Sequence, residues 1–241
     1  MSYLHPIYPD RWMPLAEGDF AWTVDDKPIR YRLHTVPCGE LWLKQGRLVP
    51  CDPFVNLQWQ GNPELQLPPG CYPVVATVAD ISEAQDGSHL RECYLSLLLS
   101  AQPAVGWRFL TPVAPGVTAP LLGGHEFVGV PVDSGTVGFV DADAVARLMP
   151  DPDEMDWQDE LFDSGQPDAW FARMDDPGHL QAGLANITLP GATDGENLIL
   201  AHSGWGDGTY AVVGSYDASG ALTGVHIDLA VLPLAPLPEW D

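Results

Sequence analysis

The sequence predicts a mainly β protein of the α+β type, with antiparallel meander sheets compatible with a two-layer sandwich and a few short helices over residues 142–174. Three observations carry that expectation. Short alternating or β-branched and leucine-rich runs recur along the chain, turn residues separate them, and helical spacing is confined to one stretch. The 24 glycines and 24 prolines supply the separation.

Taken in order, Glu40 to Lys44 and Arg47 to Cys51 flank a turn at Gln45-Gly46 and predict a hairpin. Asp52-Pro53 ends it, because proline has no N–H to give to a ladder. Cys71 to Val78 and Glu92 to Leu99 predict paired strands about the polar turn Gln85-Asp86-Gly87-Ser88. The proline- and glycine-rich stretch from Thr111 to Gly124 reads as an ordered crossing loop, since flexible linkers are more polar. Glu126 to Val132 resumes a strand, Asp133 to Thr136 is a tight turn, and Val137 to Val140 returns. Asp141 then N-caps a helix from Ala142 to Met149 that Pro150 stops. From Asp151 to Asp176, acidic residues alternate with Met155, Trp157, Phe162, Trp170 and Met174, a spacing that suits short amphipathic helices.

Asn197 to His202, Thr209 to Tyr216 and Ala221 to Leu232 predict a three-stranded meander. In its last strand Val225, Ile227, Leu229 and Val231 share a face, which places His226 and Asp228 on the other. Leu234 to Trp240 reads as an extended, proline-bearing surface tail. One domain spanning residues 1–241 is expected, because β-rich folds run to about 200–250 residues as a unit.

The charge narrows the function classes. There are 33 acidic and 10 basic residues, and the imbalance is lopsided. Residues 1–108 hold 12 acidic and 8 basic side chains, a net of −4, while residues 109–241 hold 21 acidic and 2 basic, a net of −19. Such a field repels nucleic acid and anionic membranes and speeds encounter with a basic protein. Solubility alone also accounts for acidic composition. The N-terminus shows no signal-like segment and no run reaches about 18 apolar residues, so a cytoplasmic protein is expected. Four cysteines without C-x-x-C spacing predict buried thiols in a reducing compartment.

Cys51-Asp52-Pro53-Phe54, Pro69-Gly70-Cys71-Tyr72-Pro73-Val74, Val132 to Thr136 with Phe139 and Asp141, Ser203 to Tyr210, and Asp228-Leu229 together resemble the bacterial domain-of-unknown-function 4241 family. The resemblance covers roughly residues 40–232, and its most specific part is Ser203-Gly204-Trp205-Gly206-Asp207-Gly208. It implies that the turns carrying Asp52, Asp133, Asp141, Asp207 and Asp228 are family features. It also implies kinship with accessory and immunity-type proteins of bacterial toxin systems.

Three constellations could carry chemistry. In the first, Ser203, Trp205 and Asp207 line a glycine-rich loop able to approach a cation or polar ligand, although a turn of this composition needs no ligand. The second groups the carboxylates Asp133, Asp141, Asp207 and Asp228, which could bind Mg²⁺ or Ca²⁺ if sheet pairing gathered them, whereas turn and cap roles suit Asp equally well. Last, a Ser203, His202, His226 and Asp228 set lacks a nucleophile elbow, and His226 and Asp228 stand about 7 Å apart along one strand. The leading expectation is a non-catalytic, cofactor-free acidic protein that docks a basic protein partner. A carboxylate-dependent, metal-assisted hydrolase is the alternative.

Overall fold

The computed structural model describes Tyr8 and residues 11–59, 61–122 and 126–233. The tail expected from Leu234 to Trp240 lies outside these residues. Strand accounts for 43% of the structure and helix for 10%, so the mainly β expectation holds.

Every strand pair is antiparallel. The larger sheet contains β1 (Gly18–Val24), β2 (Lys27–Leu43), β5 (Gly70–Asp80), β6 (Leu90–Leu98), β7 (Gly106–Phe109), β8 (Gly129–Val132), β12 (Gly208–Tyr216) and β13 (Leu222–Asp228). Its spatial order is β1-β2-β5-β6-β13-β12-β7, with β8 also paired to β12. The smaller sheet contains β3 (Arg47–Cys51), β4 (Leu65–Gln66), β9 (Thr136–Asp141), β10 (Leu184–Thr188) and β11 (Asn197–His202), in the order β10-β11-β9-β3-β4. Among the described residues three short α-helices accompany them: α1 (Pro53–Asn56), α2 (Ala142–Leu148) and α3 (Trp170–Asp175), with a π-helical turn at Gln158–Phe162.

The two sheets pack face to face. Leu41, Leu43, Val74, Leu95, Leu97 and Ile227 of the larger meet Leu48, Val137, Phe139, Leu184 and Ile199 of the smaller. The smaller sheet is buried on its other face too, where Val49, Val140, Leu198 and Leu200 lie under Trp157, Phe162, Trp170 and Met174. That double burial explains why Leu198 to Ala201 reads as an unbroken apolar run. The outer face of the larger sheet carries a third apolar layer, in which Tyr8 and Trp12 cover Tyr94, Phe109 and Val213.

Three expected hairpins are instead passages between the sheets. β2 and β3, β8 and β9, and β11 and β12 each follow one another across a short glycine-bearing connection, yet members of each pair stand in different sheets. The expected three-stranded meander is thus reduced to the β12–β13 hairpin, with β11 assigned to the smaller sheet. Its last strand ends at Asp228 rather than Leu232, and Val231 joins the outer layer rather than the inter-sheet core. The physical reason is common to all three. An alternating run places one face in the core whether its neighbour lies beside it or across the sandwich, so periodicity does not distinguish these cases.

Gly46 shows how such a passage is built. It adopts φ +75°, and a Cβ there would stand 1.9 Å from the Leu67 carbonyl oxygen. Its own carbonyl accepts the Leu67 N–H at 2.7 Å, joining the passage to the strand end beside it. Paired strands β5 and β6 and the Asp141-capped helix α2 match expectation. The strand expected from Glu126 begins only at Gly129.

Candidate functional site

The sequence-derived aspartates take separate places. Asp52 is fully buried, N-caps α1, and accepts from the Asp133 and Ser134 N–H groups at 2.9 and 2.8 Å and from Ser134 Oγ at 2.7 Å. It therefore ties the β8–β9 passage to the end of β3. The Ser203 N–H donates to the Gly135 carbonyl at 2.9 Å, which brings the β11–β12 passage to the same end of the sandwich. Asp133 and Asp207 are exposed there.

Asp141 stands at the opposite end of β9, six residues and roughly 17–20 Å away. It is buried, caps α2 through the Asp143 N–H at 2.9 Å, and accepts the Lys44 N–H at 2.7 Å. Burial raises its pKa against those two bonds. Asp228 lies on the outer face of the larger sheet and accepts from Trp12 Nε1 at 2.8 Å, and burial raises its pKa as well. The convergence of Asp133, Asp141, Asp207 and Asp228 that a metal-assisted hydrolase would need is therefore not formed. Among the described residues no group of three or more His, Cys, Asp or Glu side chains is placed to hold a metal ion.

The Ser/His/Asp set is likewise dispersed. Ser203 Oγ donates to the Gly206 carbonyl at 2.6 Å and closes its own loop. His226 bonds Ser215 Oγ at 3.0 Å beside Trp107, and burial lowers its pKa to about 3. The Asp228 carboxylate bonds Trp12 and the Ala230 N–H rather than either histidine. Three of the four free thiols are buried as expected, and Cys71 is half-buried beside Glu40. Burial raises the pKa of all four, which suppresses thiolate chemistry.

Two further features stand out, the first of which the sequence reading missed. Glu92, 4% exposed, points into the sandwich end beside His202. A Cβ on Gly183 would meet Glu92 Oε1 at 2.5 Å and His202 Nδ1 at 3.0 Å, so glycine is what lets both groups close on one backbone. Burial pushes this carboxyl up to about 7, opposed by its own N–H and by Arg91. Arg91 in turn lies 5.5 Å from the ring centre of Trp205, which is 55% exposed. The sequence signal for Glu92 was a charged residue opening an apolar run, and its facing depends on the register shift between Thr77 and Val78.

The second feature is the layer over the smaller sheet. Residues 151–176 carry ten carboxylates and one cation, Arg173. All ten are exposed, while Trp157, Phe162, Trp170 and Met174 between them are buried. None of the ten forms an ion pair among the described residues. Two clefts border this layer. One, of about 460 Å³, includes Glu160, Asp168 and His179; the other, of about 630 Å³, includes Asp151, Trp157 and Trp59.

These observations define an open, two-sheet antiparallel sandwich with an acidic helical cover on one side. The chain belongs to the family described as "Protein of unknown function (DUF4241)", whose model matches residues 41–227. No curated protein and no solved structure matches it. None of the described helices is long and apolar enough to cross a membrane.

Proposed function

We propose that this protein is a binding protein of the immunity or accessory type, which captures a basic protein on the helical layer of residues 151–176. The observation that carries the reading is the row of ten exposed carboxylates without cationic partners, set on a layer whose aromatic residues anchor it to the sheet. Unpaired charge on one face focuses the field toward a cationic surface and raises the rate of encounter. Ion pairs elsewhere support the contrast. Glu64 and Asp143 are both taken up by Arg47, and Asp194 and Glu196 by Lys44, so those carboxylates are already ion-paired.

The test is calorimetric titration with a basic protein encoded beside this one, at salt concentrations from about 0.05 to 0.5 M. Affinity should fall steeply with salt, and the triple substitution Asp159→Asn, Glu160→Gln, Asp163→Asn should weaken it about tenfold or more. Binding indifferent to both would overturn the reading.

A further inference from the structure

We propose that the larger cleft beside the acidic layer receives an apolar side chain of the basic partner, held between that partner's own lysines or arginines. The inference rests on the reading of residues 151–176 as a docking face and adds what the partner must carry.

The cleft encloses about 630 Å³, within the range of sites that hold a small ligand or a protruding side chain. Its floor lies over the buried Val49 and Val140 of the smaller sheet's outer face and Leu57 at the end of α1, and its accessible apolar surface comes from the half-buried Ala142, Val145, Met149 and Pro150. Phe162, Trp170 and Met174 cover the rest of that face, while at this corner Trp157 and the half-buried Val145, Met149 and Pro150 line the cleft. Trp59 forms the rim and is 60% exposed, the type of side chain that carries most energy when a partner desolvates it.

Charge decides which apolar group fits. Arg47 at the rim is bound by Glu64 and Asp143, each at 2.8 Å, so this trio presents a net negative charge rather than a free cation. Asp151 also lines the cleft, and its carbonyl accepts the Glu154 and Met155 N–H groups at 2.9 and 3.0 Å. That turn holds exposed Asp153, Glu154 and Asp156 beside the cleft mouth. An acidic ligand would be repelled from such a mouth. An aromatic or leucine side chain flanked by cations satisfies floor and rim together.

Two synthetic peptides test this by titration calorimetry: four lysines around a central tryptophan, and the same lysines around glycine. The tryptophan peptide should bind about tenfold more tightly. Ala146→Trp fills the cleft from an exposed position of α2 and should erase that tenfold while leaving the glycine peptide unchanged. Trp59→Ala, an exposed rim substitution, should reduce it severalfold and gives a second reading independent of α2. Asp151→Asn with Asp153→Asn and Glu154→Gln should weaken both peptides. Equal binding of the two peptides to the native protein, or a tenfold preference that survives Ala146→Trp, overturns the cleft assignment and leaves the docking face intact. Binding of neither peptide overturns both.

Discussion

At the scale of single residues, Glu92 is the group whose chemistry departs most usefully from habit. A carboxyl with an ordinary value of 4.5 is held near 7 because burial penalises its charged form. The folded state therefore keeps the proton more tightly than the unfolded chain does. As pH rises from about 4.5 to 7, the unfolded state releases its proton first, and stability falls by about 3 kcal/mol before levelling. Arg91 opposes that rise, and the Glu92 carboxylate in turn adds to the upward push on the Cys93 thiol. Glu92→Gln should remove most of this slope. Urea midpoints at pH 5 and pH 8 should thus diverge for the native protein and converge for the variant, and parallel slopes would refute the assignment. Asp52 shows the contrasting case. The sequence marks it as a turn residue, and it is one, but its main partners lie about eighty positions away at Asp133 and Ser134. Local propensity explains its cap on α1; only the fold explains the tie.

At the scale of elements, the extent of many strands was legible, but β1, β4, β7, β10 and most of β2 went unread, and the pairing of several others was not legible. Alternation and turn residues located β3, β5, β6, β9, β11, β12 and α2 to within a few positions, and of β2 only its end from Glu40 to Leu43. They could not tell a hairpin from a passage between sheets, because Leu43 and Leu48 enter one core from opposite sides just as neighbours in one sheet would enter it from the same side. Gly46 is the element whose failure would expose this design. Gly46→Ala places a methyl group against the Leu67 carbonyl and forces an alanine to positive φ. It should cost more than about 1 kcal/mol of unfolding free energy in chemical denaturation. A true two-residue hairpin turn facing water would lose less, since nothing would stand where the methyl group falls.

At the scale of the whole molecule, charge and architecture meet. A net charge of −23 works against the compact state through self-repulsion, most strongly where ten unpaired carboxylates share residues 151–176. Screening shortens that repulsion, so about 0.5 M salt should raise the melting temperature by a few degrees. Calorimetry should show one transition, because the inter-sheet core joins strands from both ends of the chain. Two resolved transitions would mean that the helical cover melts separately.

Composition and periodicity by themselves determined that the chain is mainly β, acidic toward its C-terminal half, and capped at Asp141. Those properties are local or additive, and each can be counted along the chain. Which strands became neighbours, which aspartates were parted, and where an apolar-lined cleft was left beside the acidic layer were decided only by tertiary packing. Side-chain alternation specifies that a face is buried; what it is buried against depends on long-range pairing that no short stretch of sequence encodes.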